Sequence, residues 1–309
     1  MAVLCIGAAH LDRKARALAP VVAGSSNPVA TETTAGGVAR NVAEGLARLG
    51  AEVAILSRVG RDAEGEAVIA GLGAAGVATE FVTRSPQKPT AGYTALLEPE
   101  GELSVAFADM AIYDELTPAR LERMMPRLRR FDTWFLDCNL PQETLSYLAA
   151  ARPERTRLLV DAVSVAKAAR LAGRLAGFDM VFTNRDEAAR LTGIAIRAPL
   201  DVCTAGARLL DAGAAGAVIT RGAEGAFLAL PDRFAFLPAL PAAVREVTGA
   251  GDAMIAGFIW ALEGGHGPAG ALHLGLACAA MALESGGAIP DDLDSARLTR
   301  RAGVEAVTA

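Results

Sequence analysis

The sequence predicts an α/β fold with a mostly parallel central sheet and helices on both faces. Three observations carry this expectation. Apolar runs of strand length alternate with segments of helical period through most of the chain. The strand runs are continuous rather than alternating, as in strands buried on both faces. No period of 20 to 50 residues and no low-complexity linker divides the 309 residues, so the chain reads as one domain spanning 1–309. A chain of this length buries about 75% of its unfolded surface and needs no covalent staple.

In order, the expected elements begin with a strand at Val3–Ala8, a helix at Val38–Leu49, a strand at Val53–Val59 and a helix at Ala63–Leu72. The rhythm then breaks. Thr90–Leu97 and Leu103–Phe107 are strand-like and flank Glu98-Pro99-Glu100-Gly101-Glu102, a polar turn sequence, so this region reads as a β-hairpin. Alternation resumes with strands at Thr133–Asp137, Leu158–Asp161, Met180–Thr183 and Ala217–Thr220. Between them lie helices at Pro141–Ala151, Val165–Leu175, Arg185–Leu191 and Val202–Ala212. Gly264–Leu283 has no acidic residue, Lys or Arg and is long enough to span a bilayer. It also holds His266, Pro268, His273 and several small residues, and reads as a buried core helix.

Composition narrows the function. The chain is 52% hydrophobic and 21% charged with a net charge of −5, and its 30 basic residues are scattered, which argues against a nucleic-acid partner. Cys5, Cys138, Cys203 and Cys278 show no C-x-x-C spacing, which points away from zinc and disulfides and toward a reducing cytoplasm. Met1 runs directly into Val3-Leu4-Cys5-Ile6-Gly7 without the basic start and apolar core of an export signal, so export is not expected, and with Gly264–Leu283 read as a core helix no membrane partner is expected.

Several motifs fail. Gly71-Leu72-Gly73-Ala74-Ala75-Gly76 matches a dinucleotide fingerprint but closes a helix instead of opening one. Lys14, Lys88 and Lys167 are the only lysines and none follows a glycine, so there is no Walker A loop. His10, His266 and His273 are isolated, and neither H-E-x-x-H nor G-x-S-x-G occurs.

Three constellations remain. Thr248-Gly249-Ala250-Gly251-Asp252 runs into an apolar helix through Phe258 and Trp260. Its small residues let backbone N–H groups converge at a helix N-terminus, a phosphate cradle without lysine. Asp252 in the first turn can accept a hydroxyl proton, or simply cap the helix. Gly36-Gly37 precedes a helix whose first turn carries Asn41, which lets a polyol approach the backbone and meet an amide; an ordinary glycine loop reads the same way. Asn184 and Glu187 follow an apolar strand, and such a pair can position Mg²⁺ or its waters or form a helix cap.

Together, Gly36-Gly37…Asn41, Asn184-x-x-Glu187 and Thr248-Gly249-Ala250-Gly251-Asp252 with Gly257 resemble the motif set of the ribokinase-like (PfkB) carbohydrate kinases, in order and across nearly the whole chain. The resemblance implies a ribokinase-like fold with a small β-lid, here from about 13–35 and 88–112, and ATP-dependent transfer of a phosphoryl group to an alcohol. By resemblance Asp252 is the catalytic base and Gly249, Ala250 and Gly251 form the anion hole. Asp12, Gly36, Gly37, Asn41 and Asn139 hold the acceptor. Asn184, Thr220, Gly222, Gly225 and Gly287 border the nucleotide, and Glu187 holds Mg²⁺ through water. Glu246 stands where many members carry an aspartate beside a monovalent-cation site, which leaves K⁺ open as a further cofactor. A homodimer through the lid is also implied.

Within the family, Ser26-Asn27-Pro28, Ala108-Asp109-Met110, Asp137-Cys138-Asn139-Leu140-Pro141 and Asp161-Ala162-Val163-Ser164 resemble the pseudouridine kinases. Ala35 and Ala39 depart from the proline and glycine expected in that branch. The expected acceptor is therefore the 5′-hydroxyl of pseudouridine. The alternatives are a ribokinase, fructokinase or adenosine kinase type, or a non-catalytic sugar or nucleoside sensor.

Overall fold

The computed structural model describes residues 2–304; Met1 and residues 305–309, the two ends of the expected 1–309 domain, lie outside the described residues. The strands are β1 (Ala2–Ile6), β2 (His10–Ala17), β3 (Val29–Gly36), β4 (Glu52–Val59), β5 (Ala78–Arg84), β6 (Gly92–Leu97), β7 (Leu103–Asp109), β8 (Thr133–Asp137), β9 (Arg157–Asp161), β10 (Met180–Asn184), β11 (Ala217–Thr220), β12 (Ala226–Leu230) and β13 (Arg233–Leu237). The α-helices are α1 (Val38–Arg48), α2 (Ala63–Ala74), α3 (Pro118–Leu128), α4 (Gln142–Ala151), α5 (Val165–Ala168), α6 (Arg185–Thr192), α7 (Pro199–Asp211), α8 (Ala250–Glu263), α9 (Pro268–Glu284) and α10 (Ser295–Ala302).

A nine-stranded sheet runs in the order β13-β12-β11-β10-β9-β8-β1-β4-β5. It is parallel from β5 to β11, with β12 and β13 added antiparallel at one edge. Each parallel strand feeds both faces. Val3 and Cys5 of β1 enter the core beneath α1, α8 and α9, whereas Leu4 and Ile6 enter the core beneath α3, α4 and α7. That two-sided burial is why these strands read as unbroken apolar runs. The strand order reverses at β1, which lies between β4 and β8, and ligands of open α/β sheets gather beyond the carboxyl ends of the strands at such a point.

A second sheet, β3-β2-β6-β7, stands apart from the first. The expected hairpin is β6 and β7, paired antiparallel, and β2 joins it in parallel with β6. β2 and β3 run from His10 to Gly36, and β6 and β7 from Gly92 to Asp109, within or beside the expected lid ranges of about 13–35 and 88–112. Gly264–Leu283 divides into a turn at Gly265 (φ 88) and the buried helix α9, and among the described residues no helix is long and apolar enough to cross a membrane.

One expected helix is much shorter than read. Val165–Leu175 is helical only through α5, followed by a 3₁₀ turn over Ala169–Leu171, and the chain then passes Gly173 at φ 68. The 3₁₀ turn aims Arg170 at the loop after β8, where its guanidinium donates to the carbonyls of Cys138, Asn139 and Leu140 at 3.0, 2.8 and 2.9 Å.

Candidate active site

Two helix N-termini meet at the switch point. α1 begins after Gly37 (φ 101) and α8 after Gly249 (φ 84); both glycines adopt the left-handed backbone that other residues avoid. Space also demands glycine there: a Cβ on Gly37 would overlap the Ala8 carbonyl, and one on Gly249 would overlap Ala288. Asn41 from α1 donates through Nδ2 to Asp252 Oδ2 of α8 at 2.7 Å, and its Oδ1 accepts from Arg40 at 2.9 Å. The amide is thus oriented from both ends. Asp252 Oδ1 is left without a protein donor among the described residues. Burial pushes the Asp252 carboxyl up to about 7; the Asn41 hydrogen bond and Arg40 pull it down, while Asp137 and Asp12 push it further up.

Asp137 at the end of β8 is the hub that shapes this corner. It is fully buried, and its Oδ2 accepts the backbone N–H of Ala8 at 2.8 Å and of Ala39 at 3.0 Å, while Oδ1 accepts that of Asn139 at 2.8 Å. One carboxylate therefore ties together the turn after β1, the first turn of α1 and the turn after β8. Sequence reasoning missed this role, because its three partners are distant in the chain or on the backbone.

Asp12 of β2 reaches the same corner from the second sheet. Gly36 has no room for a Cβ because the Asp12 carboxylate occupies that space. His10 Nε2 lies 3.2 Å from Asp12 Oδ1, and its Nδ1 lies 3.2 Å from the hydroxyl of the buried Tyr113, which also donates to Ala9 O at 3.0 Å. His10 and Tyr113 are further polar residues that the motifs did not indicate. Asn139 is also buried here, with Lys167 Nζ donating to its Oδ1.

On the other side of the 249–251 turn lies a largely apolar cleft of about 510 Å³. Thr220, Gly222, Gly225, Ala250 and Gly251 line it with Leu276 and Ala279, so three of the five residues expected to border a nucleotide converge with the 249–251 turn. Gly287 does not line it; its turn is closed by Ser285 Oγ, which donates to Gly287 O at 2.8 Å, and the neighbouring Ala288 packs against Gly249. Asn184 stands beside Thr220 in the β10–β11 register, also outside the lining. It forms a capping box with Glu187: Oδ1 accepts from Asp186 N and Glu187 N at 2.9 Å each, and the Glu187 oxygens accept from Asn184 N and Nδ2 at 2.7 Å each. Burial raises the Glu187 carboxyl.

Glu187, Asp252 and Asp137 push the Asp161 carboxyl further up, beyond the large effect of burial. Beyond Asp161, Val163 has φ 67, and Ser164 N donates to Ala162 O at 2.7 Å across it, closing a γ-turn of the strained hand. A β-branched residue held there stores strain just beyond the end of β9.

These features can hold an anion between two helix N-termini while a carboxylate with a pKa near neutrality takes a proton from a hydroxyl. A model of the pfkB family carbohydrate kinases matches residues 2–295. The pseudouridine kinase of Escherichia coli K12 is 31% identical over 285 residues, covering 91% of this chain and 90% of that protein. Among solved structures, a carbohydrate kinase from Agrobacterium tumefaciens is 35% identical with a TM-score of 0.86, covering 98% of this chain and 97% of that one. A ribokinase of Arabidopsis thaliana, solved with ribose and ATP, shares the backbone fold with a TM-score of 0.86 at 22% identity, over 97% and 98% of the two chains.

Proposed function

The chain belongs to the pfkB family of carbohydrate kinases, ATP-dependent phosphotransferases, and on that premise we propose that its acceptor is the 5′-hydroxyl of pseudouridine. The observation that carries the catalytic part is the Asn41–Asp252 hydrogen bond at the meeting of two glycine-started helices. Asn41 holds Oδ2, and Oδ1 takes the hydroxyl proton as the acceptor oxygen attacks the γ-phosphorus. The bond from that phosphorus to the bridging oxygen breaks and ADP leaves. A base with a pKa of about 7 is matched to this work at neutral pH.

Gly249, Ala250 and Gly251 supply the anion hole. Ala250 N reaches a protein carbonyl only at 3.5 Å, so the first turn of α8 offers N–H groups to the transferred phosphoryl oxygens. Asp12, Gly36, Gly37 and Asn139 would hold the ribose, and the cleft beside Thr220, Gly222 and Gly225 would take the adenine nucleotide, with Gly287 and Asn184 at its margins. Phosphoryl transfer asks mainly for position and charge stabilisation, which this arrangement provides.

Magnesium belongs to the same reading. Both Glu187 oxygens already accept hydrogen bonds from Asn184. This fits a cation that keeps its water shell and touches Glu187 through water. When bound it neutralises charge on the phosphates. The second sheet would act as a lid that excludes water, and its exposed Leu103, Val105 and Phe107 on β7 offer an apolar face for the implied homodimer. ATP as donor and four free cysteines suit a cytoplasmic enzyme.

Pseudouridine rests on the branch-like motifs and on the relative of that name. The test is coupled ADP release with Mg²⁺-ATP against pseudouridine, uridine, adenosine, ribose and fructose. Preference for pseudouridine is expected. Preference for a free sugar or adenosine would overturn the substrate and leave the kinase, and no ADP release with any acceptor would favour a sensor.

A further inference from the structure

Lys14 on β2 and Glu246, 232 residues further along the chain, form an ion pair at 3.1 Å between Nζ and Oε2. The other oxygen of Glu246 accepts Val247 N and Thr248 N at 3.0 Å each and Thr248 Oγ1 at 2.8 Å. The carboxylate thus braces the loop that enters the 249–251 turn, and the second sheet supplies its counter-charge. The Thr248 hydrogen bonds, aided by Lys14, hold the Glu246 carboxyl down at about 2, so it is charged throughout the working pH range.

The family resemblance puts a monovalent cation beside residue 246. The residues present do not fit one. Oε1 already accepts three donors, and the ammonium of Lys14, close to K⁺ in size and equal in charge, occupies the approach to Oε2. A glutamate rather than an aspartate gives the reach to meet β2 while its other oxygen still braces Thr248. We infer that Lys14 is a built-in monovalent cation for the loop before the anion hole, so that turnover is independent of K⁺. The ammonium arrives with the second sheet, which links the position of that sheet to the shape of the anion turn.

The inference rests on the kinase reading and not on the identity of the acceptor. The test uses whichever acceptor the enzyme turns over best, in choline chloride, NaCl and KCl at equal ionic strength, with Tm measured in parallel. The wild type is expected to change less than about twofold between salts and to show no K⁺-specific rise in Tm. Lys14→Met is expected to lose about tenfold in choline and to regain at least about threefold of it in KCl, with a K⁺-specific rise in Tm. Lys14→Arg, which keeps the charge, stays within about threefold of wild type in all three salts. K⁺ activation of the wild type, or a folded Lys14→Met that is fully active in choline or gains nothing from K⁺, would overturn the inference. A wrong acceptor leaves the salt pattern unchanged, and the Tm comparison reads the wild type without any acceptor.

Discussion

Asn41 Nδ2 and Asp252 Oδ2 lie 2.7 Å apart, and this hydrogen bond joins the first turns of α1 and α8 across 211 residues of chain. It acts against the burial that raises the Asp252 carboxyl to about 7. With Asp252 proposed as the base in its carboxylate form, kcat/KM is expected to rise with pH through about 7 and then level. Asn41→Ala removes an interaction that favours the charged form and moves that limb upward by about one unit. A pH–rate profile that stays flat from 5.5 to 8 in the wild type would remove Asp252 as the titrating base.

The 249–251 turn, proposed as the anion hole, depends on a backbone only glycine supports. At Gly249, φ is 84 and a Cβ would overlap Ala288, so Gly249→Ala must displace either the turn or the 285–288 segment. Turnover is expected to fall by about a hundredfold or more, since one misplaced oxyanion donor alone loses 10²–10³. Stability should fall by about 1–3 kcal/mol. Steady-state kinetics with urea unfolding separates the two, and a variant with wild-type kcat would show that the turn does not hold the transferred group.

Asp137 predicts a different signature. Asp137→Asn keeps the volume but can present only one acceptor oxygen to the N–H groups of Ala8, Ala39 and Asn139, leaving at least one buried donor facing an amide N–H₂. An unsatisfied buried donor costs about 1–3 kcal/mol, and the loss should appear as a lower urea midpoint with unchanged slope. Removing a buried negative charge also lowers the Asp252 pKa, so the rising limb of the pH profile shifts down. An unchanged limb would separate Asp137 from the electrostatics of the base.

These residues also show where the sequence was legible. Gly36-Gly37…Asn41 and Gly249…Asp252 could be read because each places its glycine, helix start and polar side chain within six residues. Asp137 could not, because a carboxylate whose partners are backbone N–H groups leaves no pattern in residue types. Lys14 and Glu246 are distant partners with ordinary surface identities. β2 (HLDRKARA) and β3 (VATETTAG) lack an apolar run because much of the second sheet faces solvent, so only their general range was foreseeable. α3 and α10 carry narrow apolar faces among many charges and escaped a reading tuned to apolar runs. The capping side of the Asn184–Glu187 pattern is present in the structure, whatever further role the pair has toward phosphate.

The cleft beside Thr220 gives a separable prediction for the nucleotide. Ala279 lines it on α9, away from Asp12 and Asn41. Ala279→Phe adds a ring to a space of about 510 Å³ and is expected to raise the KM for ATP about tenfold or more while the KM for the acceptor changes little. Acceptor KM rising in parallel, with ATP unaffected, would place the acceptor in this cleft and reverse the assignment of the two sides.

The buried Asp252 carboxyl also sets part of the pH dependence of the fold's stability. Its folded pKa of about 7 lies above the ordinary carboxylate value of 3.8, so between those values the folded state binds more protons than the unfolded state. Stability from this group is therefore fully present below about 4 and is lost as pH rises through 7. A shift of this size corresponds to ~2–4 kcal/mol above neutrality. Asp252→Asn keeps the shape and a hydrogen-bonding partner for Asn41 while removing the charge. It is expected to abolish turnover and to raise Tm at pH 8 by several degrees, with little change at pH 4.5, where the wild-type carboxyl is already protonated. Equal Tm for the two proteins at pH 8 would mean that the carboxylate is not strained by burial. An Asp252→Asn enzyme with undiminished kcat would mean that it is not the base.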